Sequence, residues 1–167
     1  MLPIILDAAN LKIGLAGDGE SAARRLAHLR AAGLEPVRIV DPTRDPLEGL
    51  HLLYVAGMAP QEAAGLAARA RAASVLVNVE DMPALCDFHV PATIRRGHLL
   101  VTVSTGGRSP GLVALLRQWL AARLGDVWAE RVEMAAQHRA GWQAAGLSPS
   151  DIATRTRSLA EREKWLP

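Results

Sequence analysis

A single cysteine, Cys86, stands among the 167 residues. One thiol excludes an intrachain disulfide and any cysteine-based metal cluster. Aromatic residues make up only 4%, with one Phe and one Tyr. Half the residues are hydrophobic, mostly Ala and Leu, so the core has to be aliphatic and helix-rich. The formal charge is +2 with no block of Lys or Arg. That admits an anionic small ligand but excludes a charge-driven nucleic-acid binder. The five histidines, 28, 51, 89, 98 and 138, show no ligand spacing, and no dedicated metal site is expected. No apolar run approaches the ~20 residues of a membrane span. The opening MLPIILDAANLKIG lacks the basic segment and long apolar run of a signal peptide. A soluble, cytoplasmic protein is expected.

What is there alternates between strand and helix. Lys12 to Ala16 is a short apolar run bounded by turn residues, the pattern of a buried strand. Gly17-Asp18-Gly19-Glu20-Ser21-Ala22 follows and fits G-x-G-x-x-A. A helical stripe of Ala22, Leu26, Leu29 and Ala32 comes next, stopped by Gly33. A second strand, Pro36 to Val40, ends at Asp41. Strand, glycine turn, helix, strand and acid is the order a dinucleotide site requires. Gly17 allows the tight turn, and Gly19 lets the backbone approach a pyrophosphate resting on the helix N-terminus. Glu20 and Ser21 lie in that first turn. Asp41 is placed to accept the ribose hydroxyls of NAD and to repel the 2′-phosphate of NADP. The same pattern is also satisfied by a glycine turn that holds no ligand. Asp18 opposes a pyrophosphate unless its carboxylate points away.

Leu50 to Ala56 is the third strand, followed by Gly57. Ala63 to Ala73 is an Ala-rich helix. Ser74 to Val79 is a strand apolar on both faces, as in a parallel sheet covered on both sides. Such alternation gives an α/β, Rossmann-like parallel sheet with ligands beyond the strand carboxyl ends. Gly17 to Gly19, Asp41, Gly57 and Asn78 to Asp81 all fall there. Beyond Pro83 the pattern changes. Phe88 to Ile94 and His98 to Ser104 read as a hairpin turning at Arg95-Arg96-Gly97. Ser109 is an N-cap with Pro110 in the first helical turn. Helices over Asp126 to Ala145 and Pro149 to Trp165 complete the chain.

Asn78 to Pro110, NVEDMPALCDFHVPATIRRGHLLVTVSTGGRSP, resembles the precorrin-2 dehydrogenase family, the amino-terminal module of siroheme synthases. The likeness is carried by Asn78-Val79, Asp81, Pro83, Leu85-Cys86, Phe88, Pro91-Ala92, Arg96-Gly97, Leu99, Val103-Ser104-Thr105, Gly107 and Ser109-Pro110. It implies an NAD-binding domain over residues 1–82. It further implies a hairpin-plus-helix dimerisation region over 83–125 and a C-terminal helical region over 126–167. A homodimer is implied, together with NAD-dependent oxidation of precorrin-2 to sirohydrochlorin and ferrochelatase activity as a second function. The chain departs from the family in its cofactor half. The connection after Asp41 has lost a helix and a strand, and Gly57-Met58-Ala59-Pro60 replaces an acidic turn.

Read from the residues, Asp81 is either a turn cap before Pro83 or a partly desolvated base suited to taking a proton near neutral pH. The resemblance assigns it the catalytic role, with help to metal insertion. Glu80 sets a second carboxylate beside it where the family carries an apolar residue. The loop from Gly106 to Pro110 reads either as a capped helix start or as an anion site of free N–H groups with a guanidinium. The family substrate is rimmed with carboxylates. Asn78, Arg95, Arg96, His98, Ser104, Gly107, Arg108 and Ser109 are its expected partners, Arg being suited to bidentate recognition. Cys86 is expected to be buried. Two rivals stay open: a chelatase that no longer oxidises, and a non-catalytic tetrapyrrole-binding dimer.

Overall fold

Strand β1, Ile13–Ala16, is buried at every residue and forms the centre of the first half of the chain. It pairs in parallel with β2 (Val37–Ile39) on one side and β3 (Leu52–Val55) on the other, and β3 pairs in parallel with β4 (Leu76–Val79). The sheet order is β2-β1-β3-β4. Helix α1 (Gly19–Ala31) connects β1 to β2, and α2 (Pro60–Ala72) connects β3 to β4. In the computed structural model, which describes Met1 to Leu166, these elements form one unit, Met1–Val90, and the chain from Pro91 onward a second. No described helix is long and apolar enough to cross a membrane.

Strand alternation divides the sheet's side chains between two faces. Ala16, Ile39, Leu53, Val55, Val77 and Val79 pack with Ala63, Leu66, Ala67 and Ala70 of α2. Ile13 and Leu52 pack with Leu29 of α1. The two helices therefore cover opposite faces, and β1 and β3 flank the point where the chain switches face. The cover on the α1 face is narrower than the sequence suggests. Leu76 of β4 is 48% exposed there, because a single helix does not span four strands.

Both outer strands have carboxylates at their edges. Asp45 Oδ2 accepts from the N–H of Val40 at 2.7 Å and of Asp41 at 3.0 Å, just past β2. Asp87 does the equivalent for β4, accepting from Val77 N at 3.0 Å. Arg69 donates to the carbonyls of Pro42 and Asp45 and holds the β2 loop against the sheet.

In the second unit, β5 (Ala92–Arg96) and β6 (Leu99–Val103) pair antiparallel. The turn is Gly97-His98, not Arg95-Arg96-Gly97. Arg96 pairs with Leu99, and Gly97 takes φ +55°, a conformation that a two-residue hairpin loop demands and glycine supplies. Both arginines therefore lie in the strand. The strand also starts later than expected. Phe88 stays with the first unit, edge-on to Tyr54 at 5.3 Å. Helix α3 (Pro110–Arg123) starts as expected, Ser109 Oγ accepting from Leu112 N at 3.4 Å. It packs on the hairpin, as does α4 (Val127–Ala144), against which α5 (Pro149–Arg162) rests. Among the described residues, Ile94 and Leu159 are the buried apolar residues of this unit.

Candidate cofactor and substrate site

The first unit brings Gly17, Asp18, Gly19, Glu20, Ser21 and Gly57 together at the carboxyl ends of β1 and β3. A Cβ on Gly17 would sit 1.8 Å from the Ala56 carbonyl oxygen, and one on Gly57 would sit 2.3 Å from that of Asp18. The two turns thus meet backbone to backbone, with φ +99° and +71°, which only glycine accommodates without strain. Gly19, at φ +67°, has nothing within 4 Å of its Cβ position. Open space at Gly19, at the start of α1, is the room the pyrophosphate of a dinucleotide needs. Asp18 is the N-cap residue, yet its carboxylate makes no capping bond, and no other hydrogen bond or ion pair among the described residues. Arg24 joins Glu20 at 3.0 Å.

Asp41 lies at the end of β2 as expected, but half of its carboxylate is occupied. Oδ1 accepts from the Thr43 hydroxyl at 2.6 Å, Thr43 N at 2.8 Å and Arg44 N at 3.2 Å. The Thr43 hydroxyl, then its N–H, holds the carboxyl below its ordinary range. Among the described residues, Oδ2 has only Arg44 Nε, at 3.9 Å.

Asp81 follows β4 in the left-handed region, φ +59°, which Asp tolerates better than most residues. It is exposed, not desolvated by its own unit. Its carboxylate takes no hydrogen bond and no ion pair among the described residues, so it caps no turn. Glu80 points to the α1 face, where Arg24 Nη2 lies 3.8 Å away. Asn78 is 7% exposed, and its amide donates to the Phe88 carbonyl at 2.9 Å. Cys86 is half-buried rather than buried. Its Sγ donates to the Val79 carbonyl at 3.2 Å and accepts from Val79 N at 3.3 Å. Burial raises the Tyr54 hydroxyl above its ordinary range, with Arg25 over the ring working against that.

In the second unit Arg95 and Arg108 are exposed. Their guanidinium groups have no partner among the described residues. Arg96 is committed: Nε donates to the Leu124 carbonyl at 2.8 Å and faces Asp126 at 3.2 Å, so it ties the hairpin to the end of α3. His98 lies 3.7 Å from Glu133. The glycine loop is less open than its composition suggests. Ser104 Oγ accepts from Gly106 N, Thr105 Oγ1 from Ser109 N, and the Thr105 carbonyl from Arg108 N. Gly107 keeps a free N–H among the described residues. No group of three or more His, Cys, Asp or Glu side chains comes together among the described residues.

A parallel sheet with a glycine cradle at its switch point defines a Rossmann-type nucleotide-binding chain. Residues 4–92 match the family model described as "Putative NAD(P)-binding". The siroheme synthase of Pseudomonas entomophila is 34% identical over 145 residues, covering 74% of this chain and 31% of that protein. That of Thiobacillus denitrificans is 33% identical over 161 residues, covering 83% and 33%. The solved structure of SirC, precorrin-2 dehydrogenase, superposes with a TM-score of 0.74 at 17% identity, over 95% of this chain and 89% of that one. The chain belongs to this NAD(P)-binding family, the one that Asn78 to Pro110 resembles. It spans about a third of the length of the siroheme synthases it matches.

Proposed function

We propose that this chain oxidises precorrin-2 to sirohydrochlorin with NAD, in siroheme or related tetrapyrrole biosynthesis. The observation that carries the reading is the free carboxylate of Asp81 at the end of β4. It lies in the same row of strand ends as the cradle of Gly17, Gly19 and Gly57. NAD supplies the hydride acceptor. Gly19 and the first turn of α1 hold its pyrophosphate, and Asp41 Oδ2 receives a ribose hydroxyl, where a 2′-phosphate would meet negative charge. Asp81 takes the proton lost from substrate carbon as hydride leaves, a role for which both its oxygens are available. Arg95, Arg108, His98, Ser104, Gly107 and Ser109 receive substrate carboxylates. Within the second unit Arg96 holds the backbone at Leu124, and within the first Asn78 holds it at Phe88.

Iron insertion into the product is the second reading. It is favoured by the same carboxylate, because an exposed acceptor can take pyrrole protons as readily as carbon protons. A homodimer is part of the proposal. Leu112 (47% exposed), Leu115 (65%), Leu116 (38%) and Trp119 (52%) leave an apolar stripe on α3, a feature that marks interfaces. Light scattering on the full chain tests it, and a monomer at micromolar concentration would refute it.

The deciding experiment is anaerobic incubation of the protein with precorrin-2 and NAD, following NADH and sirohydrochlorin together, with dissociation constants for NAD and NADP. Stoichiometric appearance of both products supports the dehydrogenase. Chelation of iron without NAD binding supports the chelatase. Binding of sirohydrochlorin without turnover supports a carrier.

A further inference from the structure

Arg38 donates from Nη2 to the Gly17 carbonyl at 2.6 Å. It lies on β2, in register with Leu15 of β1, so its side chain leaves the sheet on the α1 face. A peptide unit is planar and trans, and its C=O and N–H point opposite ways. With the Gly17 carbonyl held from the β2 side, the Asp18 N–H of the same peptide turns to the β3 side. There the Asp18 backbone lies against the Gly57 turn, its carbonyl oxygen 2.3 Å and its N 3.7 Å from the Gly57 Cβ position, at the switch point where this fold places a phosphate.

The charges at this turn lead to the same residue. Glu20 is paired with Arg24, whereas the exposed carboxylate of Asp18 has no partner among the described residues. An anion approaching the start of α1 therefore meets an uncompensated negative charge. Arg38 is the guanidinium bonded to the turn itself, and its Nε and Nη1 make no hydrogen bond among the described residues.

We infer that Arg38 is a positioning residue of the dinucleotide site. It aims the Gly17–Asp18 peptide at the phosphates and offsets the Asp18 carboxylate. The inference rests on the cofactor reading above. Its test needs no turnover: calorimetric titration of the full chain with NAD and with ADP-ribose, for wild type, R38M, R38K, D18G and R38M/D18G. R38M is expected to weaken both ligands by about 10–100-fold, the loss of a charge-assisted hydrogen bond. R38K keeps the charge and is expected between the two. D18G is expected to recover part of the loss in the double variant, because the two residues act on one charge balance. Thermal melts separate weakened binding from unfolding, and R38K provides the comparison if R38M melts early. R38M binding as wild type does, R38K as weak as R38M, or no recovery in R38M/D18G overturns the inference while leaving the cofactor reading standing. Wild type that binds neither ligand overturns both.

Discussion

Asp87 and Val77 exchange two hydrogen bonds, Asp87 N donating to the Val77 carbonyl at 2.8 Å and Val77 N donating to Asp87 Oδ2 at 3.0 Å. One loop residue thus completes the open edge of β4, and Arg71 Nε holds the other carboxylate oxygen at 2.9 Å. Asp87→Ala removes the acceptor and leaves the N–H of a fully buried residue without a partner. An orphaned buried donor costs about 1–3 kcal/mol. The expected result is a fall of that size in urea unfolding, with Asp87→Asn losing less because its amide oxygen can still accept. An Ala variant as stable as wild type would show that water replaces the bond.

A gain is expected at Ser74. Helix α2 ends with Ser74 N bonded to the Arg71 carbonyl and Val75 N to that of Ala70, the pattern that places its middle residue in the left-handed region. Ser74 takes φ +61° there, where the equivalent residue of α1 is Gly33. Ser74→Gly relieves a backbone cost of roughly 1 kcal/mol. Chemical denaturation should show a higher midpoint with an unchanged slope. A lower midpoint would mean that the Ser side chain contributes more than its backbone costs.

Most of the architecture was legible because local patterns agreed with it. The apolar runs of β1 and β3, the Gly33 stop, the Ser109-Pro110 start and the glycine turns each carry their own signal. The hairpin turn was misread because Arg95-Arg96-Gly97 looks polar, while register depends on the pairing of Arg96 with Leu99. Side-chain partners were the least legible. Nothing in D-P-T-R announces that Asp41 folds back on Thr43, and S-T-G-G-R-S does not reveal that its hydroxyls occupy its own N–H groups. Arg38 was missed for the same reason. In sequence it is one charged residue inside a short strand, and its bond to Gly17 exists only once β1 and β2 pair.

The turn at Asp41 should respond to acid. Its carboxyl is held down chiefly by the Thr43 hydroxyl, so the folded state binds the proton less readily than the unfolded chain. The contribution to stability is present above the ordinary carboxyl value of 3.8 and is lost as pH falls through the lower, folded value. The Thr43 amide resonance should therefore hold steady from neutral pH to about 4 and shift below it. Thr43→Val removes the largest cause and should move the transition upward. An unmoved transition would assign the effect to the backbone bonds alone.

The last expectation concerns Asp81→Asn, which should abolish sirohydrochlorin formation and leave NAD affinity unchanged. Asp81 follows β4, whereas the glycine cradle lies beyond β1 and β3, so the change leaves the phosphate surface intact. The substitution is also quiet structurally. The carboxylate makes no hydrogen bond among the described residues, and Asn tolerates the left-handed φ of +59° as well as Asp does. Its neutral amide cannot take the proton lost as hydride departs, and general-base help is worth about 10²–10⁴ in rate. NAD titration, thermal melting and single-turnover oxidation on one preparation separate the effects. A rate loss with affinity and melting unchanged assigns the proton to Asp81. A variant within about threefold of wild type in rate would move the base elsewhere, since a catalytic carboxylate costs far more when neutralised.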